Sequence, residues 1–147
     1  MSVPPSTLTW SELLKRAQSR VGLIKHLGLE FELTDDELIT YLSVSPELSG
    51  APQILHGGAL MALFDSALGF RAFQLAFQQG RSTSTVEMKV NFLKPVRVGD
   101  RLRVQPEIIS KGQSLMVLSG DAIEVTSGAR VGFAIGTFNI YTPSHLK

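Results

Sequence analysis

Chemistry in this sequence has to come from oxygen and nitrogen. The 147 residues include no cysteine, which excludes thiolate nucleophiles, disulfides and Cys-based metal sites. The three histidines, His26, His56 and His145, stand at no metal-ligand spacing with one another or with a carboxylate, so no metal is expected. Neither a Gly-x-Ser-x-Gly elbow nor a phosphate-binding glycine loop occurs. What does occur is His56-Gly57-Gly58, followed nine residues after the histidine by Asp65. Glycines that open a helix leave backbone N–H groups unpaired at the positive end of its dipole. Such donors suit a carbonyl oxygen acquiring negative charge. Asp65 is the only formal charge between His56 and Arg71, in a run apolar on every side of a helical wheel, which predicts a buried helix. A carboxylate there is either a satisfied structural group or a working one.

Spacing decides how these groups can cooperate. Asp65 lies eight residues past Gly57, about 12 Å along a helix axis at ~1.5 Å per residue. One carbonyl cannot touch both within a single helix. Two copies of the helix lying antiparallel across a two-fold axis would bring Gly57 of one subunit to Asp65 of the other. The expectation is two equivalent sites per dimer, each shared between subunits.

The elements that position these residues follow in order. Residues 1–6 form a tail, and Thr9-Trp10-Ser11-Glu12 has the spacing of a capping box. From there Trp10, Leu13, Leu14, Ala17, Val21 and Ile24 make the single apolar stripe of one amphipathic helix. Leu29, Phe31 and Leu33 alternate with Glu30 and Glu32, Asp35-Asp36 turns, and Leu38 to Val44 returns as the second strand of a hairpin. Residues 45–53 read as a loop. The central helix runs from Gly57 to about Gln78, with Gly80 as its C-terminal glycine. Val86, Met88, Val90 and Phe92 then alternate with Glu87, Lys89 and Asn91, so one face of that strand is buried and the other solvated. Leu102 to Ser110 is a strand that Pro106 demotes to an edge or a bulge. Ser114 to Val125 and Arg130 to Tyr141 complete the set, the last with Gly132, Ala134 and Gly136 forming a side-chain-poor face that a helix can approach. Runs of strands with segregated helices indicate an α+β fold with an antiparallel sheet of about six strands, curled around the central helix. The expected organisation is one domain over 1–147, with a tail and helix in 1–27 and the core in 28–141.

With a net charge of +1, nothing in the sequence resembles the clustered basic face that a nucleic-acid binder needs. The opening residues lack the basic and apolar segments of a secretory leader, and no apolar run is expected to span a membrane, so the expectation is a cytoplasmic protein without membrane or nucleic-acid partners.

His56-Gly57-Gly58, the carboxylate nine residues on, the stretch Thr85-Val86-Glu87-Met88-Lys89-Val90-Asn91-Phe92-Leu93-Lys94-Pro95 and the turn Gly99-Asp100 form a combination. It resembles the hotdog-fold acyl-CoA thioesterases of the PaaI-like group, which are similar to the 4-hydroxybenzoyl-CoA thioesterases, over residues 28–141. The resemblance implies a sheet wrapped around the long helix, homodimers often paired into homotetramers, and hydrolysis of acyl-CoA without a cofactor. Carried over, Asp65 is the general base or nucleophile, the Gly57 N–H polarises the thioester carbonyl, and His56 orients that turn. Thr85 stands where the group often has a hydroxyl that holds the attacking water or the Asp. Strand parity, however, puts Thr85 on the solvated face with Glu87, Lys89 and Asn91. Gly58, Gln53, Phe64 and Leu68 are candidate substrate contacts, the last two with Phe70, Phe73 and Phe77 as residues for an aryl or medium-chain pocket or for the core. Lys94, Arg97, Arg101, Arg103 and Lys111 are bases available to CoA phosphates. One departure stands out: members often carry an Asn six residues before the His, where this chain has Gly50, and Gln53 can supply an amide instead. A non-catalytic acyl-CoA-binding module and an acyl-thioester dehydratase or hydratase are the rival readings.

Overall fold

The structure, a computed structural model, describes residues 8–34 and 36–144. The tail expected at residues 1–6, Asp35 of the Asp35-Asp36 turn and His145 lie outside them. The capping box forms: Thr9 Oγ1 accepts the Glu12 N–H at 3.3 Å and the Glu12 carboxylate accepts the Thr9 N–H at 2.7 Å. The helix it opens is shorter than the stripe suggests. α1 (Trp10–Arg20) stops at Val21, whose backbone is extended, and the chain restarts as α2 (Gly22–Leu27). A β-branched residue followed by glycine is a weak place in a helix. Leu14, Ala17, Ile24 and Leu27 stay buried across the break, while Val21 leaves the stripe and is 48% exposed.

β1 (Glu30–Leu33) and β2 (Leu38–Ser43) form the expected antiparallel hairpin. The segment expected to be an irregular loop is more ordered: a 3-10 turn at Pro46–Leu48 leads into a short hairpin of β3 (Ser49–Ala51) and β4 (Ile54–Leu55). α3 (Gly57–Phe77) follows, closed by Gly80 at φ 68°, whose N–H reaches the Phe77 carbonyl at 3.0 Å. Its 21 residues have the length and apolar composition of a membrane-crossing helix, contrary to expectation, but in this fold the apolarity serves packing.

β5 (Ser82–Phe92), β6 (Arg101–Val104), β7 (Glu107–Lys111), β8 (Leu115–Glu124) and β9 (Arg130–Tyr141) complete the chain. The strand expected over residues 102–110 is two strands. Pro106 has no N–H to give the ladder, so β6 pairs with the end of β8 through Leu102 and Glu124, and β7 with its beginning through Ile108 and Leu118. One sheet of seven strands results, in the order β1-β2-β6-β8-β9-β5 with β7 on β8.

α3 lies on the concave side of this sheet. Its Leu63, Phe64, Ala67 and Leu68 are buried together with Leu42, Leu102, Val104, Met116, Leu118, Ala134 and Phe138. Burial of each large apolar side chain contributes roughly 1.5–3 kcal/mol. The side-chain-poor face of β9 has the expected use at Gly132, where a Cβ would meet Leu60 and Phe64 at 3.2 Å. α1 covers the far half of α3 through Trp10, whose ring sits 5.4 Å from Phe73 and 5.9 Å from Phe77. The remaining side of α3 has no cover among the described residues. Met61 and Asp65 are exposed there, beside the free edge of β5, so the helix is buried on the sheet side and not all round.

Candidate active site

The His-Gly-Gly turn is held from both sides by backbone bonds. His56 N–H donates to Leu48 O and Leu55 N–H to Val96 O, both at 2.8 Å. The Gly99-Asp100 turn, with Gly99 at φ 97°, braces the same segment: Asp100 accepts the Arg97 N–H at 2.8 Å, and Val98 N–H donates to Gln53 O at 3.0 Å. Two motifs distant in sequence thus fix one helix entry.

At that entry His56 is the N-cap of α3. Its Nδ1 accepts the Gly58 N–H at 2.8 Å, which leaves the ring proton on Nε2. Gly58 is therefore not a free donor, and the pair of donors expected from Gly57-Gly58 reduces to one. The Gly57 N–H, at the first helical position, donates to no described group and faces solvent at the positive end of the helix. Gly58 is sterically required, and Gly57 sits close to an exposed, movable ring. A Cβ on residue 57 would meet the Phe92 ring at 3.3 Å, and one on residue 58 the His56 Nδ1 at 2.9 Å. Gly50 belongs to the same assembly: a Cβ there would lie 2.7 Å from His56 Cδ2, so the imidazole occupies the space that a side chain at position 50 would need.

Asp65 projects from the middle of α3, two turns further on. It is exposed, not buried as its apolar surroundings in sequence suggest. Its Oδ1 accepts a hydrogen bond from Thr85 Oγ1 at 2.8 Å. Strand parity had placed Thr85 on the outer face, and the structure corrects this. The register of β5 against β9 shifts between Thr85, opposite Phe138, and Glu87, opposite Thr137, leaving Val86 as an unpaired bulge. The extra residue changes the phase of the strand. Thr83 and Thr85 consequently share the helix-facing side with Met88, Val90 and Phe92, and Val86 is 58% exposed instead of buried.

Asp65 and Thr85 line an open cavity of about 360 Å³ whose walls combine the apolar Val21, Leu23, Ile24, Phe70 and Phe73 with the hydroxyl side chains of Ser66, Ser82, Thr83 and Ser84. A second cleft of about 270 Å³ adjoins Gly57, between Leu60, Phe92 and the segment Leu93-Lys94-Pro95-Val96. The remaining candidates fall as follows. Phe64 and Leu68 are 0% exposed and line no described cavity, because they point into the sheet; as substrate contacts they are corrected to core residues. Gln53 sits after Pro52 at the tip of the β3–β4 turn with φ 64°, a conformation that favours glycine. Within one chain Gly57 and Asp65 are not brought together.

The model of the Thioesterase superfamily matches residues 52–127, from the turn before His56 past the end of β8. The chain belongs to the thioesterase superfamily. A candidate esterase of Saccharolobus solfataricus is 30% identical over 132 residues, which are 89% of this chain and 83% of that protein. Acyl-coenzyme A thioesterase 13 of Mus musculus is 24% identical over 93 residues, 63% of this chain and 65% of that protein, so the chain spans just under two thirds of it. The PaaI protein of the Escherichia coli phenylacetic acid degradation operon has the same fold, with a TM-score of 0.75 at 19% identity over 88% of this chain and 92% of that one. This thioesterase-superfamily chain therefore has the hotdog fold that its motifs lead one to expect, the fold of that PaaI protein. The residues that sequence spacing missed are Val21, Leu23 and Ile24 at the helix break. Their only signal was Val21-Gly22 inside an otherwise helical stripe.

Proposed function

We propose that this thioester hydrolase cleaves an acyl-CoA to the free acid and CoA, at sites shared between two protomers of a cytoplasmic homodimer or homotetramer. In each site Asp65 of one protomer is the base or nucleophile and the Gly57 N–H of the other polarises the thioester carbonyl. The observation that carries this is the hydrogen bond from Thr85 to Asp65 at the mouth of that open cavity. Thr85 engages Oδ1 and leaves Oδ2 to take a proton from water or to attack the carbonyl carbon itself. In the first route the resulting hydroxide adds to the carbonyl; in the second a mixed anhydride forms and water hydrolyses it. Either way the electron pair leaves with the CoA sulfur, and the oxyanion of the tetrahedral intermediate needs a donor.

The free Gly57 amide is that donor, and the geometry supports its coming from a second chain. The two groups are separated by about 12 Å of helix. The surface that carries them is also unfinished: Met61, Val86, Phe92 and Leu93 are exposed along α3 and the open edge of β5, a combination that favours burial against another copy. The whole chain acts as one domain in this reading, with the site in residues 28–141. Acyl-coenzyme A thioesterase 13 of Mus musculus supports the choice of acyl-CoA as substrate. Release of free CoA thiol, followed for wild type and Asp65→Asn, tests it. The substitution keeps the shape of an exposed side chain and should lower kcat by about 10² or more. Equal rates would overturn the assignment.

A further inference from the structure

Resting on the acyl-CoA reading above, we infer that the acyl group is bound in the cavity built by the α1–α2 break, with Val21 and Leu23 setting its size. The cavity is continuous with Asp65 and Thr85, so an acyl chain attached to a carbonyl beside Asp65 enters it directly. The Gly57 that the second protomer supplies adjoins a different cleft, which carries Lys94, a cation suited to the phosphates of CoA. The two halves of the substrate thus have chemically distinct places to go.

The walls define the class of acyl group. Phe70 and Phe73 come from α3, and Ile24 from α2. Val21 and Leu23 are exposed apolar side chains that line the cavity, Leu23 also facing a second cleft beside His56 and Gly58. They reach it only because the helix breaks at Val21. In a continuous helix Val21 would lie on the buried stripe with Ala17 and Ile24. A cavity of roughly 150 Å³ accommodates a benzene ring, so about 360 Å³ accommodates a single-ring arylacyl group or a medium chain, up to roughly fourteen carbons on that scale. Acetyl would leave it mostly empty, and a palmitoyl chain would exceed it.

Two measurements test this. The first is kcat/KM for acetyl-, octanoyl-, phenylacetyl- and palmitoyl-CoA in wild type, Val21→Phe and Leu23→Ala. Octanoyl- or phenylacetyl-CoA should be preferred over acetyl- and palmitoyl-CoA by about tenfold or more in wild type, on the scale of a few buried methylenes. Val21→Phe, which fills the cavity, and Leu23→Ala, which removes a wall, should each lower the octanoyl-to-acetyl ratio, chiefly through KM. The second uses Trp10, the only tryptophan, whose ring packs tilted against Phe70 and edge-on against Phe73, two residues of the cavity wall. Its fluorescence should change on titration with octanoate or phenylacetate, and less so in Val21→Phe. Hydrolysis of acyl-CoA with a ratio unmoved by both variants overturns this inference and leaves the proposed function intact. Octanoate binding without any acyl-CoA hydrolysis overturns the proposed function and keeps the cavity as an acyl site. Neither binding nor hydrolysis overturns both.

Discussion

Thr85 donates to Asp65 at 2.8 Å because Val86 bulges out of β5. The unpaired residue reverses the phase of the strand, so a hydroxyl that alternation assigns to solvent turns toward the helix. The charge in α3 and the bulge in β5 are in this sense one feature, and removing the hydroxyl should show it. Thr85→Ala should lower kcat by about tenfold, the scale of one hydrogen bond to a charged group, while Thr85→Ser retains most of it. Thermal midpoints near wild type for both variants would mark the loss as chemical, and equal kcat in Thr85→Ala and wild type would remove Thr85 from the site.

His56 is expected to act on the helix entry and not on the substrate alone. His56→Ala removes the cap from Gly58 and should cost about 1 kcal/mol, roughly 2–4 °C in Tm for a chain of this size. His56→Asn, a strong capping residue, should recover the stability. If Asn also recovers kcat, the histidine serves through the cap; if only stability returns, its Nε2 proton is used in the reaction.

Gly50 should be intolerant for a reason that depends on His56. Gly50→Ala places a methyl 2.7 Å from the imidazole, a separation real Cβ atoms do not hold, so the ring must leave its capping position. Activity is expected to fall about tenfold or more, as for a small misplacement of a positioned group. In a His56→Ala background the same substitution should cost less, since the 2.7 Å contact is gone while those with Cα and Cβ of residue 56 at 3.1 Å remain, and a double-mutant cycle of Tm and kcat measures the coupling. Additive losses would mean that Gly50 acts independently of the ring. By the same contact, an Asn at position 50 cannot coexist with His56 in this orientation.

Acid stability should depend on a residue remote from the site. Glu124 accepts hydrogen bonds from the Ser127 hydroxyl at 2.6 Å, the Ser127 N–H at 2.7 Å and the Thr126 N–H at 3.1 Å. These bonds favour the charged form and push its pKa from 4.5 down to about 2, Ser127 contributing most. The folded value lies below the unfolded one, so the carboxylate stabilises the fold fully above pH 4.5 and loses that effect as pH falls from there toward 2. Tm measured across that window should fall in wild type, and Glu124→Gln should start lower at neutral pH and show a flatter acid limb. Parallel curves would contradict the linkage.

Much of this arrangement was legible in the residues. Capping at Thr9, glycine at the end of α3, the side-chain-poor face of β9 and the α+β order all rest on local rules that tertiary contacts did not override. The spacing of Gly57 and Asp65 already implied a site that one chain does not complete. What escaped were changes of phase. Val86, Met88, Val90 and Phe92 alternate without interruption, and nothing in that pattern locates an unpaired residue, because a bulge is fixed by the partner strand. The break at Val21 is hidden in the same way, since Ile24 and Leu27 resume the stripe after it. Phe64 and Leu68 differ from Phe70 and Phe73 only in the side of α3 they occupy, and on a helix apolar all round the sequence does not say which side the sheet covers.

The shared site is tested most directly by mixing two inactive chains. Gly57 is the first residue of α3, where proline is well tolerated and removes the N–H, while its Cβ meets the exposed Phe92 ring at 3.3 Å, a contact that a small shift of the ring relieves. Gly57→Pro should therefore fold and lose about 10²–10³ in kcat, the scale of an oxyanion donor. Asp65→Asn is inactive for the opposite reason. When the two are unfolded together at equal amounts and refolded, half of the dimers are mixed, and each mixed dimer has one site with both Asp65 and the Gly57 N–H intact. The account predicts that activity returns to about a quarter of wild type, as two-fold symmetry requires. Activity that stays at the level of the two variants assayed separately would contradict it.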